Sequence, residues 1–522
     1  MGRSTRGALA AGLAALLAAG GCASWQQTRR ETVDPIHALL HHTYADAISE
    51  MEPGALAALF AEPRREQAMS PTLELLARFD RIEQTRVGID RVDLEVEPVV
   101  AWLDLVAEGI APDGSLRAIR QSKQVTLVRG AEGWRISGDR PGPLFEVPVP
   151  RAYFTDETTL RGLWFQHETR MVTDPHGEPQ RFIYGSGVAA SDMDGNGWTD
   201  VILLAGDRIE LFLNDGGYFT KASREWGFGV SLDRVLTTAL PVDVDNDGRR
   251  DLFVGAEGGP PLLYRNQGDH FSEVTDAGLV TPERTISAVA ADFDGDGFAD
   301  LYLANHDDVY WNAPDPPGRA TNARPDQLFL NDGHGRFRDV TKSSGVANRG
   351  WSLAPVAADY DLDGDVDLFV GNDFGYDVLY RNDGLAHFEE VSREAGVDKP
   401  VAAMSADWGD FDGDGDLDLF VAGMRSGSGW VLEVPDFEVG RVPRLFDLLF
   451  RPYVREAIRS WFRGNRFYEN LGDGRFREFA AESGAQDSGW GWATVWLDFD
   501  NDGRLDLYGA NGFLSGKLED DV

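Results

Sequence analysis

Asp192, Asp194, Asn196 and Asp200, with Gly197 between the last two, follow the order Asp-x-Asp-x-Asp/Asn-Gly-x-x-Asp, and that order returns five more times. The further copies are Asp243, Asp245, Asp247 and Asp251; Asp292, Asp294, Asp296 and Asp300; Asp359, Asp361, Asp363 and Asp367; Asp410, Asp412, Asp414 and Asp418; and Asp498, Asp500, Asp502 and Asp506. Carboxylates on alternate residues of a tight loop suit calcium, a hard cation that takes about six to eight oxygens at roughly 2.3–2.6 Å. Side chains at positions one, three and five can converge on one point, the carbonyl of position seven adds an oxygen, and the aspartate at nine closes the site. Glycine at position six permits the sharp bend. Magnesium is less suited, because it demands a stricter octahedron and keeps its waters. Up to six calcium ions are expected, with the first loop the weakest because Asn196 replaces a carboxylate. Asp and Gly also build plain turns, but chance does not give one ligand spacing six times.

These loops need a frame that repeats with them. Each is preceded by small apolar residues and followed by a short apolar run, and the first five are trailed by Asn, Gly and an aromatic, as in Asn214, Gly216 and Phe219. The pattern recurs at Asn266, Gly268 and Phe271; Asn331, Gly333 and Phe337; Asn382, Gly384 and Phe388; and Asn470, Gly472 and Phe476. Asn and Gly tolerate the positive φ of a hairpin turn, so each unit reads strand, metal loop, strand, strand, hairpin, strand. Four short antiparallel strands in about 50 residues make a propeller blade. The predicted fold is therefore mainly β: a propeller of six or seven four-stranded blades over 144–522, with insertions at 305–325 and 424–464. The sixth unit has only its first two strands before the chain ends. The segment Phe154–Gly162, "FTDETTLRG", mimics the last strand of a unit, "FRDVTKSSG", and is expected to complete the sixth blade.

Residues 35–143 lack the repeat. Helical periodicity over His37–Phe60, broken at Pro53-Gly54, and over Thr72–Phe79 precedes alternating stretches at Val87–Val96, Val99–Ala107, Leu116–Val128 and Trp134–Gly138. Helices followed by an antiparallel sheet predict a small α+β domain. Its order and its ending, "KQVTLVRGAEGWRISG", resemble the nuclear-transport-factor-two-like cone fold.

At the N-terminus Arg3 and Arg6 precede an apolar run too short to span a bilayer, and Ala19-Gly20-Gly21 leads to Cys22, the sole cysteine. This resembles a lipoprotein signal over 1–21, with Cys22 acylated and 22–34 as a tether; a plain secretory signal is the alternative. Ala23-Ser24 lacks the Asp associated with inner-membrane retention, which favours the outer membrane of a bacterial envelope. One cysteine allows no internal disulfide, so structural metal is a natural source of stability for an exported chain. Asp and Glu number 87 against 49 Lys and Arg, for a net charge of −38. Such a surface repels nucleic acid and anionic lipid.

The repeats resemble FG-GAP/VCBS units of integrin-α-like propellers, and more narrowly the bacterial proteins related to cartilage acidic protein that carry an ASPIC/UnbV segment. The resemblance rests on "GSGVAASDMDGNGWTD", "LYRNDG", "FEEVSREAG" and "GWGWATVWLDFDNDGRLDLYGANG" within Phe154–Gly512. The chain departs from it in having no clear ASPIC/UnbV segment and no complete final unit. The resemblance implies calcium-dependent binding at a surface and no general catalytic chemistry.

No nucleophile elbow, P-loop, zinc-protease or dinucleotide motif appears. His37 and His41, four apart on a helix, lack a third ligand and read as solvated residues. The 424–464 insertion sets Arg444, Arg451, Arg455, Arg459 and Arg463 among Leu445, Leu448, Leu449, Trp461 and Phe462. It is either an amphipathic helix packed on neighbouring blades or a grip for an acidic partner or lipid head groups. The resulting expectation is a lipid-anchored, calcium-binding propeller that binds a protein or glycan at the cell surface. The rival is a carbohydrate-active enzyme that uses the propeller face, with His167, Arg170 and Tyr184 as candidates.

Overall fold

The computed structural model describes residues 34–511 except 52, 95, 131–132, 149–155, 166–170, 174–178, 182–185, 233, 258, 281–283, 308–313, 317–318, 425–462, 487 and 489–490. Cys22, His167, Arg170, Tyr184 and the Arg-rich insertion up to Phe462 lie outside the described residues. The described residues form two compact units, one within 34–148 and one within 156–424 and 463–511.

In the first unit α1 (Asp34–His37) passes through a π-helical turn (Ala38–Thr43) into α2 (Tyr44–Ser49), and α3 (Pro53–Ala58) and α4 (Arg65–Leu76) follow. Ile36, Leu40, Tyr44 and Ile48, one apolar residue every four, are all fully buried. The helix expected over Thr72–Phe79 lies instead at Arg65–Leu76 with Pro71 inside it. Burial of Ala68, Thr72, Leu75 and Leu76 along one stripe holds it together across the proline. Four antiparallel strands come next in simple order: β1 (Arg81–Asp93), β2 (Val99–Ile110), β3 (Leu116–Gly130) and β4 (Gly133–Pro148). Ala101, Leu103, Leu105 and Ala107 alternate onto the buried face. β4 runs on through Pro141 and Pro143, past the expected end of this domain, because it is an edge strand and prolines are tolerated there. Lys123 and Asp139 meet at 2.8 Å in this core, joined by Thr72 and Tyr44.

The second unit opens with a short hairpin, β5 (Met171–Thr173) and β6 (Pro179–Arg181), followed by sheets in series. The first sheet holds β7 (Ser186–Ser191), β8 (Asp200–Ala205), β9 (Arg208–Asp215) and β10 (Tyr218–Lys221). The second holds β11 (Val235–Val242), β12 (Asp251–Glu257), β13 (Leu262–Asn266) and β14 (Phe271–Glu273). The third is β15 (Thr285–Ala291), β16 (Asp300–Asn305), β17 (Gln327–Asn331) and β18 (Phe337–Asp339); the fourth is β19 (Ser352–Ala358), β20 (Asp367–Asn372), β21 (Val378–Asn382) and β22 (Phe388–Glu390). The fifth is β23 (Ala403–Gly409), β24 (Asp418–Gly423), β25 (Arg466–Asn470) and β26 (Phe476–Glu478). Each is a meander of four antiparallel strands, as expected of blades, whereas β27 (Gly491–Leu497) and β28 (Asp506–Asn511) form a two-stranded sheet. The first strands of successive sheets pack side by side in chain order, and the second strands β16, β20 and β24 are buried along their whole length.

Two devices tie blade to blade. In the third to sixth sheets a bulge interrupts the pairing of the first two strands, at Ile286, Leu353, Met404 and Trp492. A bulge re-aims a side chain, and these four meet in one apolar cluster. The second device is a glycine clasp after each outer strand. Gly227, Gly278, Gly345 and Gly396, all with positive φ, sit against the carbonyls of Phe271, Phe337, Phe388 and Phe476 in the next blade. Gly162 sits in the same way on Phe219 of the first blade, and Arg161 O accepts the Phe219 N–H at 2.7 Å. Residues 156–162 thus hold the place that follows an outer strand; Phe154 and Thr155, which would be that strand, are outside the described residues.

A Cβ on Gly278 would lie 2.3 Å from the Phe337 carbonyl oxygen, whereas one on Gly484 would meet nothing within 4 Å. Both have positive φ, which costs an L-residue roughly 1–2 kcal/mol. Gly278→Ala should therefore lower the urea midpoint clearly more than Gly484→Ala; equal shifts would remove the clasp from the account.

Candidate metal centres in the repeat loops

Each loop lies between the first and second strand of its sheet, and backbone donors shape it the same way six times. The N–H of the position-six glycine donates to Oδ2 of the first aspartate, at 2.8 Å for Gly197 to Asp192 and 3.1 Å for Gly415 to Asp410. The pairs Gly248–Asp243, Gly297–Asp292, Gly364–Asp359 and Gly503–Asp498 repeat it. Position five donates its N–H to the other oxygen of the same carboxylate and caps the N–H of position seven with its own side chain, as Asp296 does for Phe298 at 2.9 Å. The glycine at six is left-handed in every loop, with φ from 85° to 99°. Position four is left-handed too, occupied by Gly195, Asn246, Gly295, Leu362, Gly413 and Asn501. Leu362 is the strained member, at φ 58°.

This folding brings carboxylates together. Oxygens of Asp192, Asp194 and Asp200 lie within 4.8 Å of one another, as do those of Asp243, Asp245 and Asp251, of Asp292, Asp294 and Asp296, of Asp359, Asp361 and Asp367, and of Asp410, Asp412 and Asp418. Oxygens on opposite sides of one calcium ion are about 4.6–5.2 Å apart, so each trio fits inside one coordination sphere, and the donor set is all oxygen. The sixth loop keeps the same turn, with Asp502 N–H on Asp498 Oδ1 at 2.9 Å, but its carboxylates are more exposed and Arg504 holds Asp502. In the second loop Arg265 reaches Asp245 at 2.9 Å and Arg249 pairs with Asp247, so part of the charge is already countered there. Asn196 Nδ2 donates to Asp194 Oδ2 at 3.1 Å, so the asparagine both brings no charge and occupies a ligand oxygen. His37 and His41 lie on the α1 helix and the π-helical turn after it.

The aspartate at position nine does more than the spacing suggested. Asp200, Asp251, Asp300 and Asp367 are wholly buried at the start of the second strand. One oxygen accepts the N–H of position two and the other the N–H of the third-strand asparagine: for Asp300, Phe293 at 2.9 Å and Asn331 at 2.8 Å. Burial is the chief cause that pushes these carboxyls up from 3.8, to about 7 for Asp300 and Asp367 and about 6 for Asp251 and Asp418, and neighbouring loop aspartates add to it.

That asparagine was read from the sequence as a hairpin residue only. Its side-chain amide also crosses to the preceding blade: Asn266 Nδ2 donates to the Met193 carbonyl, Asn331 to Val244, Asn382 to Phe293 and Asn470 to Tyr360, at 2.8–2.9 Å. Each acceptor is position two of a metal loop. Strand pairing sets the asparagine at one register from the ninth aspartate, but their separation along the chain varies and side-chain direction across a blade interface cannot be read from one chain.

A family model described as FG-GAP-like repeat matches residues 243–303, 305–370, 359–421 and 453–509. Those segments are FG-GAP-like repeats. Cartilage acidic protein 1 of Homo sapiens is 24% identical over 403 residues, 67% of this chain and 59% of that protein. The Mus musculus protein of the same name is 28% identical over 210 residues, 38% of this chain and 28% of its own length. The chain thus spans well under two thirds of these relatives. Among solved structures, an Agrocybe aegerita lectin that recognises non-reducing terminal N-acetylglucosamine overlaps 81% of this chain and 94% of its own at 15% identity, with a TM-score of 0.34. A calcium/calmodulin-dependent kinase II association domain from Thiobacillus denitrificans overlaps 19% of this chain and 89% of its own at 16% identity, with a TM-score of 0.16. At such scores neither overlap defines a shared fold.

Two outcomes are expected of the FG-GAP-like loops. Asn331→Ala strands the buried Val244 carbonyl and the Asn331 hydrogen bonds, a loss of about 1–3 kcal/mol, and should lower the denaturation midpoint with the ions present; an unchanged midpoint contradicts the blade-bridging role. Second, Asp251, Asp300, Asp367 and Asp418 bind protons more tightly folded than unfolded when no metal is present, so they favour the folded state below about pH 4. That contribution is lost as pH rises through about 6–7. Calcium displaces those protons, so its stabilising effect should be larger at pH 8 than at pH 5; melting curves with and without chelator at both pH values decide it.

Proposed function

We propose that this chain is a calcium-dependent binding module, displayed at a bacterial cell envelope through lipid on Cys22, whose FG-GAP-like blades engage a protein or glycan. The observation that carries it is the convergence of five separate carboxylate trios, each small enough for one ion and built from oxygens alone. Clustered acids repel without a counter-ion, so a cation bound only by the folded state stabilises it by mass action. The first loop is the weakest because of Asn196, and the sixth is the most exposed. Calcium binding at the loops fixes position two of each loop, and position two is where the next blade holds on, so the ions stiffen the stacking of blades.

Lipid on Cys22 rests on the Ala19-Gly20-Gly21-Cys22 sequence. Among the described residues no helix is long and apolar enough to cross a membrane. The helices-then-sheet order of the first unit supports reading it as a cone of the nuclear-transport-factor-two-like kind, serving as spacer or second binding site. A net charge of −38 argues against nucleic acid as partner.

Metal analysis of the purified protein should find several calcium ions per chain, and excess chelator should lower the melting temperature by many degrees. No bound calcium, or an unmoved melt, would falsify the reading. A glycan array probed with and without calcium then separates glycan from protein ligands, since only a glycan-binding module should give calcium-dependent signals there.

A further inference from the structure

The first Asp-rich loop differs from the other five at position five, where Asn196 stands in place of aspartate and is followed by Gly197. An asparagine loses its side-chain amide when the next backbone nitrogen closes on its Cγ, and glycine at the next position has no side chain to block the approach. Three groups in this loop are aligned for that closure. Asn196 Oδ1 accepts the Trp198 N–H at 2.7 Å. This is an Asx turn, which folds the side chain back over the 196–197 peptide and brings Cγ beside the Gly197 nitrogen. The same Trp198 N–H faces the oxygen on which negative charge develops as the ring forms, the placement of an oxyanion donor. Gly197 N–H donates to Asp192 Oδ2 at 2.8 Å, so a carboxylate draws the hydrogen from the attacking nitrogen.

The carboxamide is also held the right way round. Asn196 Nδ2 donates to Asp194 Oδ2 at 3.1 Å and to the Asn214 carbonyl at 2.9 Å, which keeps Oδ1 on Trp198. A Cβ on Gly197 would meet nothing within 4 Å, and residues 195–199 are exposed, so water reaches a ring formed there.

We propose that Asn196 converts itself to aspartate in the folded chain. The bond from Gly197 N to Cγ forms and the bond from Cγ to Nδ2 breaks. The hydrogen of the glycine nitrogen passes, through Asp192 or water, to Nδ2, which leaves as ammonia. Water then opens the ring: its hydroxyl joins Cγ and its hydrogen returns to the Gly197 nitrogen, leaving an aspartate on an unbroken main chain. In the other five loops position five is already aspartate, so the product is the ligand set that the repeat carries elsewhere. It also removes the Nδ2 donor that occupies an oxygen of Asp194. The gain in calcium binding rests on the function proposed above, whereas the chemistry of the amide does not.

The test follows tryptic peptide 182–208, in which Asn196 is the sole amide side chain, by mass spectrometry. Freshly purified protein is kept in chelator, which frees the Asp192 carboxylate, at a temperature where circular dichroism shows it folded. The acid form should accumulate severalfold faster in the folded protein than in the same protein in urea, and Asp192→Asn should remove that advantage. A folded rate equal to or below the unfolded one overturns the proposal. So does isoaspartate as the main product, since water would then have opened the ring at the main-chain carbonyl and lengthened the loop backbone. Asn196→Asp should bind calcium more tightly than the fresh wild-type protein in a titration. If the peptide converts as expected but Asn196→Asp binds calcium no better, the calcium reading of this loop fails and the conversion stands.

Discussion

In each of the five four-stranded blades a carboxylate buried at the start of the second strand accepts one N–H from its own loop and one from the third strand, and the blade is organised around it. Two N–H dipoles fix its position but supply only partial positive charge, and burial still holds the group well above the ordinary carboxylate range. The first and third aspartates bring further negative charge to the same point at the centre of the loop, which adds to the demand for positive charge. A divalent cation answers all three carboxylates at once, which a surface arginine can do for only one. Arg265 beside Asp245 shows the partial alternative.

The same geometry makes the loops part of the blade interfaces. Position two gives its N–H to the buried aspartate and its carbonyl to the asparagine of the following blade, so a change in loop conformation reaches the neighbouring sheet through one residue. Met193, Val244, Phe293 and Tyr360 at that position are also buried apolar side chains that wedge between sheets. Blade stacking and loop shape are therefore coupled by contact between neighbours, as in other repeat assemblies where stability is carried from unit to unit.

The repeat fold was legible because its constraints are local: alternate acids, left-handed glycine and hairpin asparagine all act within one unit, and six copies average out the noise of any single one. The four-strand order and the incomplete sixth sheet follow from that pattern. What escaped was cooperation between units. The asparagine amide that spans two blades, the glycine clasp onto the next outer strand and the bulge that gathers Ile286, Leu353, Met404 and Trp492 depend on residues about 50–110 positions apart. In the first unit local periodicity points to a helix over Thr72–Phe79, whereas burial of one face sets α4 at Arg65–Leu76 with Pro71 inside it. Position four of the loops was also overlooked, although Gly and Asn dominate it, since the exception Leu362 hides the left-handed requirement.

The two ends of the blades differ in what they can recognise. The Asp-rich end is nearly the same from blade to blade, so it presents repeated charge and little that would single out one ligand. At the other end each second-to-third strand connection has its own length and composition, from the short turn between β8 and β9 to the long insertions after β16 and β24. Buried polar groups that the repeat does not share sit there too, among them His306, Asp326, Asn372, Asp373 and Asp377. Burying such groups costs stability unless each is matched by a specific partner, and here the partners differ from blade to blade. For the proposed binding function, selectivity would therefore belong to the irregular end, with the regular end serving to hold the blades that present it.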